Sequence, residues 1–167
     1  WALGVEFPER VVSSGARHRY DDDWEFWDIQ QISLEFPDRK TIFWEGHSVD
    51  DVAQFGTPRG SVIFGDNGHM LIEESRFTVF DHDGKVVKTF GERSTGDATD
   101  TVAPTRDLTR GHCQNFLDSI RDGRTPNAEI RGGHRSVLLC HLGNIALRTK
   151  RALKIDPQTG HILDDPG

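Results

Sequence analysis

Two segments of the sequence place tryptophans directly beside acidic residues and a histidine. These residues are Trp24, Glu25, Trp27 and Asp28 in the first segment and Trp44, Glu45 and His47 in the second. Aromatic rings stack on the C–H faces of sugars, and carboxylates accept hydrogen bonds from sugar hydroxyls. Tryptophans on a sheet also build cores and subunit interfaces. The pattern therefore leaves two interpretations open, carbohydrate contact and packing.

Motifs for several other chemistries are missing from the sequence. It has no GxGxxG and no GxxxxGK[ST], so no dinucleotide or P-loop site is expected within the chain. Gly65-Asp66-Asn67-Gly68 follows a strand pattern but opens no helix, which indicates a hairpin turn. The eight histidines form no HExxH, and no GxSxG is present, so neither a metal site nor a serine nucleophile is expected. The acidic run at residues 21–23 is interpreted as a solvated turn.

Composition is typical of a globular domain with a wide polar surface. The chain has 167 residues, enough for one domain, and 35% of them are hydrophobic. The formal net charge of -7 argues against nucleic-acid binding, and no segment reaches the roughly 20 apolar residues of a membrane span. Cys113 and Cys140 lie in helical patterns without a CxxC and are expected to be buried thiols. His141 is expected to be a core residue on an apolar helix face.

The first 103 residues alternate apolar and polar side chains between turn sequences, which predicts antiparallel strands. Strands are predicted over residues 11–20, 28–36, 41–47, 61–64, 69–73, 76–80 and 85–90. Turns are predicted at residues 37–40, 65–68 and 81–84, where Pro, Asp, Asn and Gly concentrate. Residues 91–102 are polar and predict an exposed loop.

Helical spacing dominates residues 104–151. The first predicted helix covers residues 105–121, with Leu108, Cys113, Phe116, Leu117 and Ile120 on its apolar side. The second covers residues 133–150, with a stripe of Val137, Leu138, Leu142, Ile145 and Ala146. Strands followed by helices predict an α+β fold. The chain is interpreted as a single domain over residues 1–167, with a sheet-rich part (1–103), a helical part (104–151) and a tail (152–167) that forms a strand, a turn and a returning strand.

Several stretches of the sequence match the pattern of one known family. Residues 1–11 read WALGVEFPERV, residues 14–23 read SGARHRYDDD, and residues 41–48 read TIFWEGHS. Residues 112–117 read HCQNFL, and residues 141–146 read HLGNIA. In this order, and over essentially the whole chain, they resemble the C-terminal domain of a bacterial branch of the Gfo/Idh/MocA oxidoreductases.

The resemblance implies a fold and an activity. The fold would be a large, mostly antiparallel open sheet with two main helices on one face, and the other face would form homo-oligomers. The full protein would transfer a hydride between NAD or NADP and a sugar or cyclitol. The catalytic residues and the cofactor site would lie upstream of Trp1, so this domain alone is expected to bind no cofactor and to be inactive.

Two other functions remain open from the sequence. One is a stand-alone carbohydrate-binding or scaffold module, and the other is part of an NAD-dependent glycoside hydrolase or lyase. The compartment is also open, either cytoplasmic or periplasmic. The residues upstream of Trp1 would separate the enzyme from the module.

Five residues are the candidates for substrate contact: Arg17, Trp44, Glu45, His47 and Arg59. His47 stands where the resembling branch has an arginine, so a fixed cation is replaced there by a titratable imidazole. Residues 25–29, which read EFWDI, also depart from the branch pattern through an extra aromatic residue. Self-association is expected through the open sheet face, with Trp44 or its neighbours involved.

Overall fold

The computed structural model describes residues 2–49, 53–57, 59–73, 76–91 and 102–164, with the side chains of the first helix described from residue 109 onward. The chain divides into two compact units, one formed by residues 1–50 and 114–167 and the other by residues 51–113. The elements in chain order are β1 (Arg10–Ala16), β2 (Ile29–Phe36), β3 (Lys40–His47), β4 (Ser61–Gly65), β5 (Gly68–Ile72), β6 (Phe77–Phe80), β7 (Val86–Phe90), α1 (Val102–Asp122), α2 (Ile130–Thr149), β8 (Leu153–Ile155) and β9 (Ile162–Leu163).

The first unit contains a five-stranded antiparallel sheet with the strand order β3-β2-β1-β8-β9. Alternate residues of β2 are buried, as expected for a strand that is covered on one face. The buried set includes Ile32, Leu34 and Phe36, which pack in one core cluster with Val11 of β1 and Leu142 of α2. Helix α2 therefore covers one face of this sheet, and we call the other face the open face.

Helix α2 lies very close to β2 because residue 143 has no side chain. A Cβ added at Gly143 would lie 2.3 Å from Cδ1 of Ile32. The next residue, Asn144, accepts a hydrogen bond from Nε2 of Gln30 at 3.2 Å. These two contacts give a physical reason for the Gly-Asn pair in the helix sequence, since glycine allows the close approach and asparagine satisfies a buried amide.

The buried face of α2 differs in part from the predicted stripe. Leu142, Gly143, Ala146 and Leu147 are buried, so Leu142 and Ala146 were correctly predicted. His141 was expected in the core and is exposed. The prediction was wrong because residue 141 lies on the opposite side of the helix from the centre of the buried face, at about 100° of rotation per residue.

The two cysteine predictions were also wrong, since Cys113 and Cys140 are both exposed free thiols. The apolar side of α1 is exposed as well within the described chain, with Phe116, Leu117 and Ile120 at 55%, 46% and 65% exposure. Helical periodicity identifies which residues share a face, but it does not show which face of a helix finds a partner.

The second unit contains a four-stranded antiparallel meander with the order β4-β5-β6-β7. The predicted turns at residues 65–68 and 81–84 connect its hairpins as expected. On one face, the ring of His69 stacks on Phe80 at 4.8 Å and lies 5.7 Å from Phe64. On the other face, Phe77 stacks on Phe90 at 4.4 Å. Cross-strand aromatic pairs of this kind stabilise sheets.

The predicted α+β class is confirmed, with antiparallel strands and two main helices. Within the described residues, the strands form two sheets, one of five and one of four strands. The predicted strand–turn–strand tail is present as β8 and β9. The predicted loop at residues 91–102 lies almost wholly outside the described residues. Neither described helix is long and apolar enough to cross a membrane.

Candidate functional site

The candidate site lies at one end of the five-stranded sheet. Ala16 at the end of β1 pairs with Ile29 at the start of β2, and Ile29 pairs with His47 at the end of β3. The loop of residues 17–28, which we call the aromatic loop, begins and ends at this row. Residues 48 and 49, which come directly after β3, form hydrogen bonds with this loop. The two segments that the sequence singled out therefore meet at this sheet end.

Asp28 holds the start of the aromatic loop through its backbone amides. Its buried carboxylate accepts hydrogen bonds from the N–H groups of His18 at 2.7 Å, Arg19 at 2.8 Å and Tyr20 at 3.3 Å. The N–H of Arg19, followed by those of His18 and Tyr20, lowers the pKa of Asp28 below its ordinary value, against the opposing effect of burial. Ser48 adds two hydrogen bonds from its backbone N–H and its hydroxyl to the carbonyl of Asp28.

Arg17 holds the middle of the same loop through its carbonyl groups. Its guanidinium donates to the carbonyl oxygens of Tyr20 at 2.8 Å, Asp22 at 2.9 Å and Trp24, and to the carboxylate of Asp22 at 2.5 Å. The backbone N–H of Trp24 and the side chain of Arg17 lower the pKa of Asp22. Arg17 thus pairs with three backbone acceptors of the loop, and Asp28 pairs with three of its backbone donors.

Strand β3 is the outer strand of its sheet, and among the described residues no strand pairs with its outer edge. Trp44 pairs with Ile32 and so lies on the α2 side, where its indole extends over Gly46, leaving no space for a Cβ there. Glu45 and His47 lie on the open face, where Nε2 of His47 bonds to Oε1 of Glu45. A ligand lying along this free edge could contact side chains from both faces.

The aromatic loop exposes three rings at this sheet end. Tyr20, Trp24 and Phe26 are 44%, 65% and 47% exposed. The rings of Trp24 and Phe26 lie 6.1 Å apart, and the guanidinium of Arg148, in the last turn of α2, lies 5.7 Å from the centre of the Phe26 ring. The contact with Arg148 places Phe26 on the α2 side of the sheet.

The structure brings together four of the five predicted substrate residues. Arg17, Trp44, Glu45 and His47 share the sheet end, although Arg17 is engaged by the loop backbone. Arg59 lies in the second unit, where its backbone N–H and carbonyl bond to the hydroxyl of Thr57.

Asp28, Phe26 and Arg148 contribute to this sheet end and were not predicted as site residues, and neither was the contact of Asp22 with Arg17. Asp28 was noted only as an acidic neighbour of the tryptophans, and residues 21–23 were interpreted as a solvated turn. Phe26 and Arg148 were not singled out as site residues. The alternation of acidic and aromatic residues over 21–28 was the available signal, but nothing in the spacing indicated that Arg148, more than a hundred residues away, would contact this loop.

Comparison with known protein families shows to which family this chain belongs. The model of the family described as "oxidoreductase family, C-terminal alpha/beta domain" of the Gfo/Idh/MocA group matches residues 10–167. The chain is a Gfo/Idh/MocA oxidoreductase C-terminal domain. The resemblance seen in the sequence motifs is thereby confirmed. No protein with curated functional information matches the chain significantly.

Solved structures share the fold of this Gfo/Idh/MocA domain. An oxidoreductase from Agrobacterium radiobacter, in complex with NAD+, L-tartaric acid and magnesium, matches with a TM-score of 0.63 and 12% identity. A probable dehydrogenase from Thermotoga maritima matches with a TM-score of 0.52 and 15% identity. Each match covers 89% of this chain and 43% of the other, so the chain spans less than half of their length.

No set of three or more His, Cys, Asp and Glu side chains suited to a metal ion occurs in the part of the chain that the structure describes. The chemistry offered at the sheet end is instead hydrogen bonding by Glu45 and His47, and ring stacking by the exposed aromatic residues. These groups suit binding and orientation of a polyhydroxylated ligand.

Proposed function

We propose that the chain is the C-terminal substrate-binding and oligomerisation domain of an NAD(P)-dependent sugar or cyclitol oxidoreductase. In this proposal, residues upstream of Trp1 form the nucleotide-binding half and supply the catalytic groups. The chain described here shapes the substrate site and does not hold the cofactor. It would be inactive alone.

The observation that carries the proposal is the family match over residues 10–167, together with the share of the similar oxidoreductases that the chain covers. One similar structure is an NAD+ complex that also contains a small hydroxy acid. The sequence has no glycine-rich dinucleotide loop of its own, which agrees with a cofactor site elsewhere in a longer protein. A hydride-transfer enzyme with one domain for the cofactor and another for the substrate accounts for both the partial coverage and the missing dinucleotide loop.

Substrate contact is assigned to the free edge of β3 and the adjoining aromatic loop. Glu45 accepts hydrogen bonds from hydroxyls, His47 donates or accepts according to its tautomer, and Trp44 offers an apolar ring on the other side of the same edge. Arg17 acts through the loop that it holds. Arg59 remains a candidate from the second unit, on the argument that its guanidinium suits hydroxyl or carboxylate groups.

The direct experiment is hydride transfer by the full-length protein. We expect NAD+ or NADP+ to be reduced in the presence of at least one member of a panel of aldoses, their methyl glycosides, sugar acids and inositols. A full-length protein that binds no nicotinamide nucleotide and oxidises none of these would overturn the proposal. Product formation without net cofactor reduction, but dependent on NAD+, would indicate the hydrolase or lyase alternative instead.

Self-association is assigned to the open face of the five-stranded sheet. Phe43 lies on this face beside Glu45 and is 80% exposed, and helix α2 covers only the other face. Burial of a large exposed ring favours association by about 1.5–3 kcal/mol. We expect a dimer or larger species in light scattering at micromolar concentration, and a shift toward monomer in Phe43→Lys. A monomeric wild-type protein would contradict this assignment.

A further inference from the structure

The aromatic loop combines exposed rings with a tightly bonded backbone. Its three exposed rings, Tyr20, Trp24 and Phe26, are each at least 44% accessible. A loop whose large apolar rings remain in solvent loses the hydrophobic stabilisation that burial would give. Scattered exposed rings need no explanation, but two of these rings, Trp24 and Phe26, lie 6.1 Å apart and form a local apolar surface.

Two charged residues order this loop without covering its rings. Asp28 accepts hydrogen bonds from three successive backbone N–H groups of the loop, and Arg17 donates hydrogen bonds to three of its backbone carbonyls. Such contacts fix the loop backbone before any ligand arrives. A pre-organised aromatic surface loses little conformational entropy on binding, which is the arrangement that favours recognition.

The surroundings of the rings indicate the chemistry of the ligand. Exposed carboxylates of residues 21, 22, 23 and 25 alternate with the rings along the loop. Two guanidinium groups lie beside the rings, Arg19 at 5.4 Å from Tyr20 and Arg148 at 5.7 Å from Phe26. Acceptors and donors around an apolar surface suit a ring with C–H faces and many hydroxyls, whereas a lipid or an apolar peptide would leave these charges unpaired.

We infer that Trp24 and Phe26 form the stacking surface for a carbohydrate ring, with Arg148 at its border. Arg17 and Asp28 are positioning residues that hold this surface and do not touch the ligand. The inference rests on the proposed function, and it deepens it by naming residues outside strand β3 that select the substrate. It also gives a role to Phe26, which lies in the stretch 25–29 where the sequence departs from the branch pattern.

The test uses the full-length protein and the same panel of methyl glycosides and inositols. Binding is followed by saturation-transfer NMR and turnover by reduction of the nicotinamide nucleotide. Trp24→Ala and Phe26→Ala are compared with Phe64→Ala, which removes a ring of similar exposure (71%) from the second unit. We expect KM for the accepted sugar to rise about tenfold or more in the two loop variants, with kcat less affected, and to stay within about twofold in Phe64→Ala.

The outcomes separate this inference from the proposed function. Turnover by wild-type protein with KM unchanged in both loop variants overturns the stacking surface and leaves the oxidoreductase proposal standing. Sugar binding that requires Trp24, without any hydride transfer, supports the surface and overturns the proposed function. Absence of both binding and turnover overturns both. A change in oligomeric mass in Trp24→Ala, with KM unaltered, would assign the rings to a protein interface and would also overturn the inference.

A second variant tests the positioning role. Asp28→Asn keeps the size of the side chain but weakens its bonds to the three N–H groups. We expect it to raise KM in the same direction as Trp24→Ala, although both rings are still present, because the loop that holds them is less well fixed. The matched control is Asp23→Asn, an exposed carboxylate of the same loop, for which KM should change less. Equal effects of the two variants, or none from Asp28→Asn, would remove the positioning role.

Discussion

The two faces of the five-stranded sheet are used in different ways. The face under α2 is closed by side chains such as Val11, Leu34 and Leu142, which are at most 4% exposed. The open face presents Phe43 together with the bonded pair Glu45 and His47. The first face accounts for how the first unit is held together, and the second exposes an aromatic ring beside two polar side chains. The side chains packed under α2 therefore serve stability, whereas the exposed side chains of the open face and of the sheet end can serve function.

The largest expected effect comes from a cavity in the closed face. Leu142→Ala removes a side chain that is 1% exposed, and we expect it to lower the free energy of unfolding by about 2–5 kcal/mol. Phe43→Ala on the open face should change the unfolding free energy of the monomer, at protein concentrations below those of self-association, by less than about 0.5 kcal/mol. Urea denaturation of both variants measures the contrast. Similar losses from the two would contradict the distinction between the faces.

A smaller effect is expected where α2 approaches β2. Gly143→Ala places a methyl group against Cδ1 of Ile32, and overpacking of this kind costs about 1–3 kcal/mol, reduced by up to about 1 kcal/mol by the better helix propensity of alanine. Ile32→Val removes the Cδ1 atom and costs about 0.5–1.5 kcal/mol alone.

The double variant sharpens this prediction. Because valine lacks the obstructing methyl group, Gly143→Ala should cost less in the Ile32→Val background than in the wild-type background. A double-mutant cycle by urea denaturation measures the coupling. Additive effects would show that the close approach of helix and strand does not constrain residue 143.

A pH-dependent effect is expected from Asp28. Folding lowers its pKa below the ordinary 3.8, so this carboxylate stabilises the fold above that pH. The contribution is lost as the pH falls through the folded-state pKa. Asp28→Asn should therefore be less stable than wild type at neutral pH, with the difference shrinking under acid conditions. Urea midpoints measured over a range of pH test this, and a constant difference at all pH values would contradict it.

The smallest effect concerns the thiols. Since Cys113 and Cys140 are exposed, both should react with a thiol reagent in the folded chain of residues 1–167, at rates similar to those in denaturant. Cys140→Ser should leave the free energy of unfolding within about 0.5 kcal/mol of wild type. Protection of either thiol in the folded chain would show that its helix face is covered.

Much of the fold could be predicted from the sequence because local residue patterns determine where its strands, turns and helices lie. The alternation in β2 and the turn sequences at residues 65–68 and 81–84 identify strands and hairpins without reference to the rest of the chain. Helix α2 could be located in the same way, but its buried face could not be assigned fully. His141 and Val137 belong to an apolar pattern, yet both are exposed, because contact with β2 through Gly143 buries the opposite side of the helix.

The candidate site could be predicted only in part for a related reason. Trp44, Glu45 and His47 are adjacent in sequence, and that adjacency suggested one cluster. The pleat of the strand places Trp44 on the opposite face from the other two, and only the free edge of β3 allows one ligand to reach all three. The contact of Arg148 with Phe26 depends on how α2 crosses the sheet, which no local pattern determines.

The most direct test of the account is the effect of Glu45→Gln in the full-length protein, measured as kcat/KM for the accepted sugar and as the free energy of unfolding. If Glu45 contacts the substrate from the open face, its substitution should lower kcat/KM about tenfold or more. The free energy of unfolding should change by less than about 0.5 kcal/mol. Wild-type kcat/KM in this variant, or a loss of activity that only follows a loss of stability, would contradict the assignment of function to this edge of the sheet.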